Sequence, residues 1–180
     1  RYGWIAALVI VGIVAAAGYN EYLRAQEQAK AEALGDAMLA ALSQNDEAAR
    51  AQALAGVTAE TPQGAAVLAF MTAGAQAEAG EAAQAAQTLD AISASSDLPL
   101  IYRQVAAFKA LMLQSDTQDI ETRRAGFTAL AVPGLRLRLL AEEQLALIDI
   151  EAGDNAAAIA RFQAIMDDAV SRLKVMVLAG

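Results

Sequence analysis

Apolar and polar positions divide the chain in two. From Tyr2 to Asn20 the run YGWIAALVIVGIVAAAGYN carries no charge. Coiled as a helix, such a run reaches about 28 Å, close to the hydrocarbon thickness of a bilayer. Tyr2 and Trp4 stand at one end, with Tyr19 and Tyr22 at the other, as in an interfacial aromatic belt. Residues 1–22 are therefore expected to form a single-pass transmembrane anchor. Ala15-Ala16-Ala17 also resembles the cleavage site of a secretory signal, but the helical pattern continues past Tyr19 with no strong turn signal, which favours a retained anchor. Arg1 ahead of the run points the N-terminus to the cytoplasm and the following domain outside. Gly3 and Ala7, then Gly12 and Ala16, fall four apart, so each pair lies on one helix face suited to close packing in a membrane.

Beyond the anchor, apolar positions recur at steps of three and four. Leu34, Met38, Ala41 and Leu42 form one such stripe, and Ala141, Leu145 and Ile148 another; Ala69, Ala73, Gln76 and Ala77 form a weaker one of small residues. The pattern predicts helices near 3–43, 46–55, 62–79, 81–94, 98–114, 117–131, 135–152 and 154–168, with a last one near 169–178. No stretch alternates long enough to be a strand. The expected fold is all-α, with residues 23–180 as one helical domain whose first helix continues from the anchor.

Punctuation reveals a repeat. Pro62, Pro99 and Pro133 are spaced 37 and 34 residues apart, and the turns centred on Asn45, Gly80, Ser115 and Gly153 are spaced 35, 35 and 38. A period of that size marks a solenoid of helical hairpins. Proline suits the first turn of a helix, so each one is expected to open a hairpin, with Thr61 and Asp97 as N-caps. Leu145-Ala146, Gly153, Ala158, Phe162 and Ile165 fall at tetratricopeptide spacing, and Ala73, Gly80, Ala85, Leu89 and Ile92 repeat it, with Thr72 in place of the leucine. The middle hairpin, Tyr102 to Leu130, is degenerate, with Ser115 where a glycine belongs.

The chain also resembles the YfgM family, the tetratricopeptide-like ancillary subunit of the bacterial SecYEG translocon. The residues that carry the likeness are Arg1-Tyr-Gly-Trp4, Ala31-Glu-Ala-Leu-Gly-Asp36, Tyr102-Arg-Gln-Val-Ala-Ala-Phe-Lys-Ala-Leu111 and Leu139-Leu-Ala-Glu-Glu-Gln-Leu-Ala-Leu147. The resemblance implies a bacterial inner-membrane protein with its helical domain in the periplasm. Its implied partners are the SecYEG translocon, periplasmic chaperones such as PpiD, and exported chains.

Composition narrows the chemistry. There is no cysteine and no histidine, which removes thiolate and imidazole zinc sites and Ser-His-Asp or Cys-His catalysis by this chain alone. With Arg1 set aside, 12 basic and 21 acidic residues leave a charge of −9, the wrong sign for nucleic acid. Glu142-Glu143 and Asp167-Asp168, with Asp149 and Glu151 nearby, read as solvated charge and helix capping, because adjacent helical residues point about 100° apart. Asp154-Asn155 lacks the later ligands of a calcium loop. Lys109, alone in an apolar helix, reads as a snorkelling surface lysine. No catalytic residue, metal ligand or cofactor is expected.

Stacked hairpins expose an inner face formed by the first helix of each pair. That register selects Val67, Phe70 and Ala77, then Tyr102, Val105, Lys109 and Met112, then Leu140, Glu143, Leu147 and Ile150 as a peptide-binding groove. Two occupants remain open: a bound peptide, or the chain's own segment Val170 to Leu178 folded back. The function expected is a non-enzymatic scaffold assisting protein export and chaperone handover. The alternative is a structural accessory subunit of another inner-membrane complex, held by its transmembrane helix.

Overall fold

The computed structural model describes the backbone of residues 3–178 and the side chains of residues 15–170. Among the described residues the chain is all-α: eight helices and no strand. They are α1 (Gly3–Leu42), α2 (Glu47–Ala55), α3 (Pro62–Glu78), α4 (Ala82–Ala94), α5 (Leu100–Leu113), α6 (Ile120–Leu130), α7 (Arg138–Glu151) and α8 (Asn155–Leu178). Of the expected membrane-packing residues, Gly3, Ala7 and Gly12 lie outside the described side chains, and Ala16 is exposed. Among the described residues no helix is long and apolar enough to cross a membrane.

Helix starts follow their capping chemistry. Asp46, Thr61, Asp119 and Asp154 each accept a hydrogen bond from the backbone N–H three residues on, at 2.9 to 3.1 Å. Each occupies an orphan donor of the first turn. Pro62 follows Thr61 at the first helical position. The expectation for Asp97 fails, because Pro99 itself holds the cap position of α5 with no side-chain bond, and Leu98 is drawn into the core. Pro133 also falls short of a helix start. It precedes a turn at Gly134, and α7 begins only at Arg138.

Two hairpins close in the same way. The Gly80 and Gly153 N–H groups bond the carbonyls of Ala77 and Ile150, while those of Glu81 and Asp154 reach back to Gln76 and Asp149 at 2.8 Å. This pair of bonds is the Schellman motif, which needs a left-handed residue just past the helix. Gly80 and Gly153 supply it with φ of +80° and +82°. Gly80→Ala or Gly153→Ala should therefore cost about 1–2 kcal/mol. Gly74→Ala, mid-helix with open space around it, should stabilise by up to about 1 kcal/mol. Thermal unfolding followed by circular dichroism reads both signs.

The core is a chain of three clusters. α1, α2 and α3 enclose Met38, Ala41, Ala51, Leu54, Leu68 and Ala75. α3, α4 and α5 enclose Ala66, Ala73, Ala85, Leu89, Ile92, Ala106 and Ala110. The third joins Phe127 and Leu130 of α6 to Ala141, Leu145 and Ile148 of α7, with Phe108 and Leu111 of α5 against them. α3 and α5 thus each serve two clusters. Five alanines in the second let its helices approach closely, and Leu89 fills the remaining space.

The degenerate middle hairpin is solved differently. With no glycine for a left-handed turn, α5 and α6 are joined by a longer link, 114–119. A Cβ on Gly126 would stand 2.6 Å from a Leu111 methyl, so the missing side chain admits Leu111. Phe108 and Phe127 meet edge-on with ring centroids 5.6 Å apart. The last helix also departs from expectation. α8 runs unbroken to Leu178, since 167–170 holds neither glycine nor proline to stop it. No separate helix begins near 169; the side chains of the segment expected to fold back, beyond Val170, lie outside the described residues.

Candidate functional site

The expected groove residues lie on the three helices that open hairpins, α3, α5 and α7. Within each helix they fall at steps of three, four or seven, which places them on one face. Shifts of 35 and then 38 residues carry Val67 to Tyr102 to Leu140, and Phe70 to Val105 to Glu143. The face opens progressively along the chain. Phe70, Ala77 and Tyr102 are half-buried against the second core cluster, and Val105 is half-buried. Lys109 and Met112 are exposed, as are Leu140, Glu143, Leu147 and Ile150 on α7. Four apolar side chains thus stand in water, Met112 on α5 and Leu140, Leu147 and Ile150 on α7, as residues of a binding face do before a partner arrives.

Val67 belongs to a different feature. It lines a cleft of about 420 Å³ between α1 and α3, floored by Leu34 and Met38 and rimmed by a Lys30–Glu60 ion pair at 3.1 Å. Sequence reading did not foresee this cleft. Its signal was Gly64, where a Cβ would meet a Leu34 methyl at 2.8 Å, so a larger residue there would make the Leu34 side chain move.

The larger correction concerns charge. Asp149 is not a solvated acid; its side chain is 4% exposed. It accepts hydrogen bonds from Arg124 of α6 and from Arg161 Nε of α8, the latter at 2.7 Å. Arg161 also donates to Glu142 at 2.9 Å, and Arg123, itself buried, donates to Glu151 at 2.5 Å. One carboxylate on α7 therefore fastens the helices on both sides. Burial alone would raise the Asp149 pKa, but the bonds and charges of Arg124 and Arg161 outweigh it and hold the carboxyl below its ordinary value. Burial likewise opposes charge on Arg161, and its bonds to Asp149 and Glu142 prevail, raising its pKa. Glu142 and Asp149 converge, then, on the partly buried Arg161, where they act as structural ties. Among the described residues no group of three or more acidic side chains is placed to hold a metal ion.

The apolar face and the buried tie are the two features that set this molecule apart from a plain helical bundle. No family model, no curated protein and no solved structure matches the sequence.

Proposed function

We propose that the protein is a membrane-anchored, non-enzymatic scaffold of tetratricopeptide-like hairpins in the bacterial envelope, an ancillary subunit of the Sec translocon as the resemblance to the YfgM family implies. The observation that carries this reading is the apolar exposure of α5 and α7, where Met112 on the one and Leu140, Leu147 and Ile150 on the other offer contact. Such a face takes the apolar side of an extended or helical peptide, and methionine adapts to varied sequences. Lys109 and Glu143 place one charge of each sign within it. The natural occupants are exported chains and the chaperones that receive them.

In this reading residues 1–22 cross the inner membrane and the domain stands in the periplasm. The stretch from Leu23 to Ala33, about 16 Å of helix, is exposed and joins the anchor to the domain, which it meets through the Lys30–Glu60 ion pair. Tethering raises the local concentration of clients, so a weak face suffices.

The alternative, a structural subunit of another membrane complex, has one observation in its favour. α1 is exposed from Ala15 to Ala33, a surface that a neighbouring helix could cover. Binding separates the two. Met112→Glu combined with Leu147→Glu, in the intact chain, should weaken its affinity for a labelled unfolded precursor at least tenfold, or about 1.4 kcal/mol. Unchanged affinity would remove the face from the account.

A further inference from the structure

A groove runs between α2 and α4, over α3. It has two adjoining halves of about 400 and 370 Å³, which share Ala55 and Gln76. Ala65, Leu68, Ala69 and Thr72 of α3 floor the first half, and Ala48 and Ala51 of α2 face Gln84 of α4 across the second. Ala48, Ala51 and Ala55 fall at i, i+3 and i+7, so they share one side of α2. Three methyl groups stand where longer side chains would fill the space.

Gln76 sits at the junction and is 8% exposed. Thr88 of α4 donates to its Oε1 at 2.9 Å. Its Nε2 has no partner among the described residues, yet that atom is not sealed from solvent, so it opens onto the groove that Gln76 lines. A buried carboxamide is ordinarily bonded at both ends. Here one end is fixed and the other is offered. Gln52 and Gln84, both exposed, add two more carboxamides at the rim. The described lining holds no cation, and its one acid is Glu81, at the far end of the second half. Arg50, next to Ala51 in the chain, is engaged by Glu47 and Glu78 at 3.9 and 3.8 Å.

We propose that this groove binds the main chain of an extended peptide segment whose central residues are small and uncharged. A main chain is neutral and presents a donor and an acceptor at each residue, which carboxamides match. A phosphate or carboxylate ligand would find no cation here. The alanine wall lets a backbone lie close. Length agrees as well. From Ala65 to Gln76 the floor runs about 16 Å along α3, the reach of five extended residues at about 3.3 Å each. A peptide carbonyl then accepts from Gln76 Nε2 in place of water, and Glu81 favours a basic residue at its end. The site is separate from the outward face of α5 and α7 and depends on neither the anchor nor the export reading.

The test uses the intact chain in detergent micelles and, as probe, a pool of end-capped pentapeptides of alanine, valine, serine and lysine. Binding should shift the side-chain amide resonances of Gln76, assigned by their loss in Gln76→Leu. That variant should bind at least tenfold more weakly and stay folded, since Thr88 keeps its bond to the Gln84 carbonyl at 3.0 Å. Ala55→Trp, made at an exposed position, should fill the groove and weaken binding at least tenfold with the melting temperature unchanged. The same pool N-methylated at every amide should also lose at least tenfold. Resonances of Gln76 that stay fixed at saturating peptide overturn the proposal, as does unchanged affinity in Ala55→Trp or for the N-methylated pool. Met112→Glu combined with Leu147→Glu should leave pentapeptide binding as it was. A loss there instead would assign the peptides to the face of α5 and α7, so each site can fail without the other.

Discussion

Asp149→Ala is expected to destabilise the last three helices by about 3 kcal/mol, the low end for breaking a buried ion pair. The substitution removes the carboxylate that Arg124 and Arg161 share, leaving Arg161 with Glu142 and Arg124 with Glu121 at 3.9 Å. Both keep some contact with water, their side chains being 27% and 34% exposed, which is why the upper end of the range is not reached. For a domain of this size the melting temperature should fall by about 6–12 °C. The same bonds set an acid limb. A carboxyl whose folded pKa is depressed contributes its full stability above its unfolded value and loses it as pH falls through the folded value. The contribution of Asp149 is thus complete above its ordinary 3.8 and disappears in more acid solution. Asp149→Asn keeps the shape without the charge, so its stability should change less with pH below about 4. Urea midpoints between pH 2.5 and 6 measure that difference. Parallel curves for the two proteins would mean that Asp149 is not held as described.

Phe127→Ala is the other large effect, about 4 kcal/mol. Phe127 is 3% exposed and edge-on to Phe108, next to Gly126, where Leu111 of α5 comes close to α6. Its removal leaves a cavity and deletes the aromatic pair at once. The loss should also be local. Hydrogen exchange should show α6, α7 and α8 opening well before α3, α4 and α5, because the second core cluster contains no residue of α6. Uniform loss of protection along the chain would show instead that the domain unfolds as one unit.

Much of the helical order was legible because turn chemistry is local. Gly80 and Gly153 mark left-handed positions that few other residues tolerate, and Thr61-Pro62 is a cap followed by a first-turn proline. Where the signal was ambiguous the expectation drifted. Asp97 has a capping side chain, yet burial of Leu98 fixed the start of α5 two residues later. The C-terminal break near 169 had no residue to cause it.

The buried charge was harder to see because its partners are distant in sequence. Asp149 sits four residues after Leu145, in line with Ala141, on the same buried stripe. That position was the available clue, since an acid on a buried stripe requires a cation. Which cation it finds depends on how α6 and α8 pack, and no local pattern encodes that. The groove residues were legible as a register, but their exposure was not. Val67 was claimed by the cleft beside α1, and Phe70 and Tyr102 by the core.

The central claim is that the outward face of α5 and α7 meets protein clients at the export machinery while the N-terminal helix lies in the membrane. Photocrosslinkers placed singly at Leu147 and at Ile10, activated in native membranes and followed by mass identification, test both halves together. The account predicts exported chains or periplasmic chaperones from Leu147 and translocon subunits from Ile10. Products from Ile10 alone, belonging to some other membrane complex, would contradict it and leave the structural subunit as the better reading.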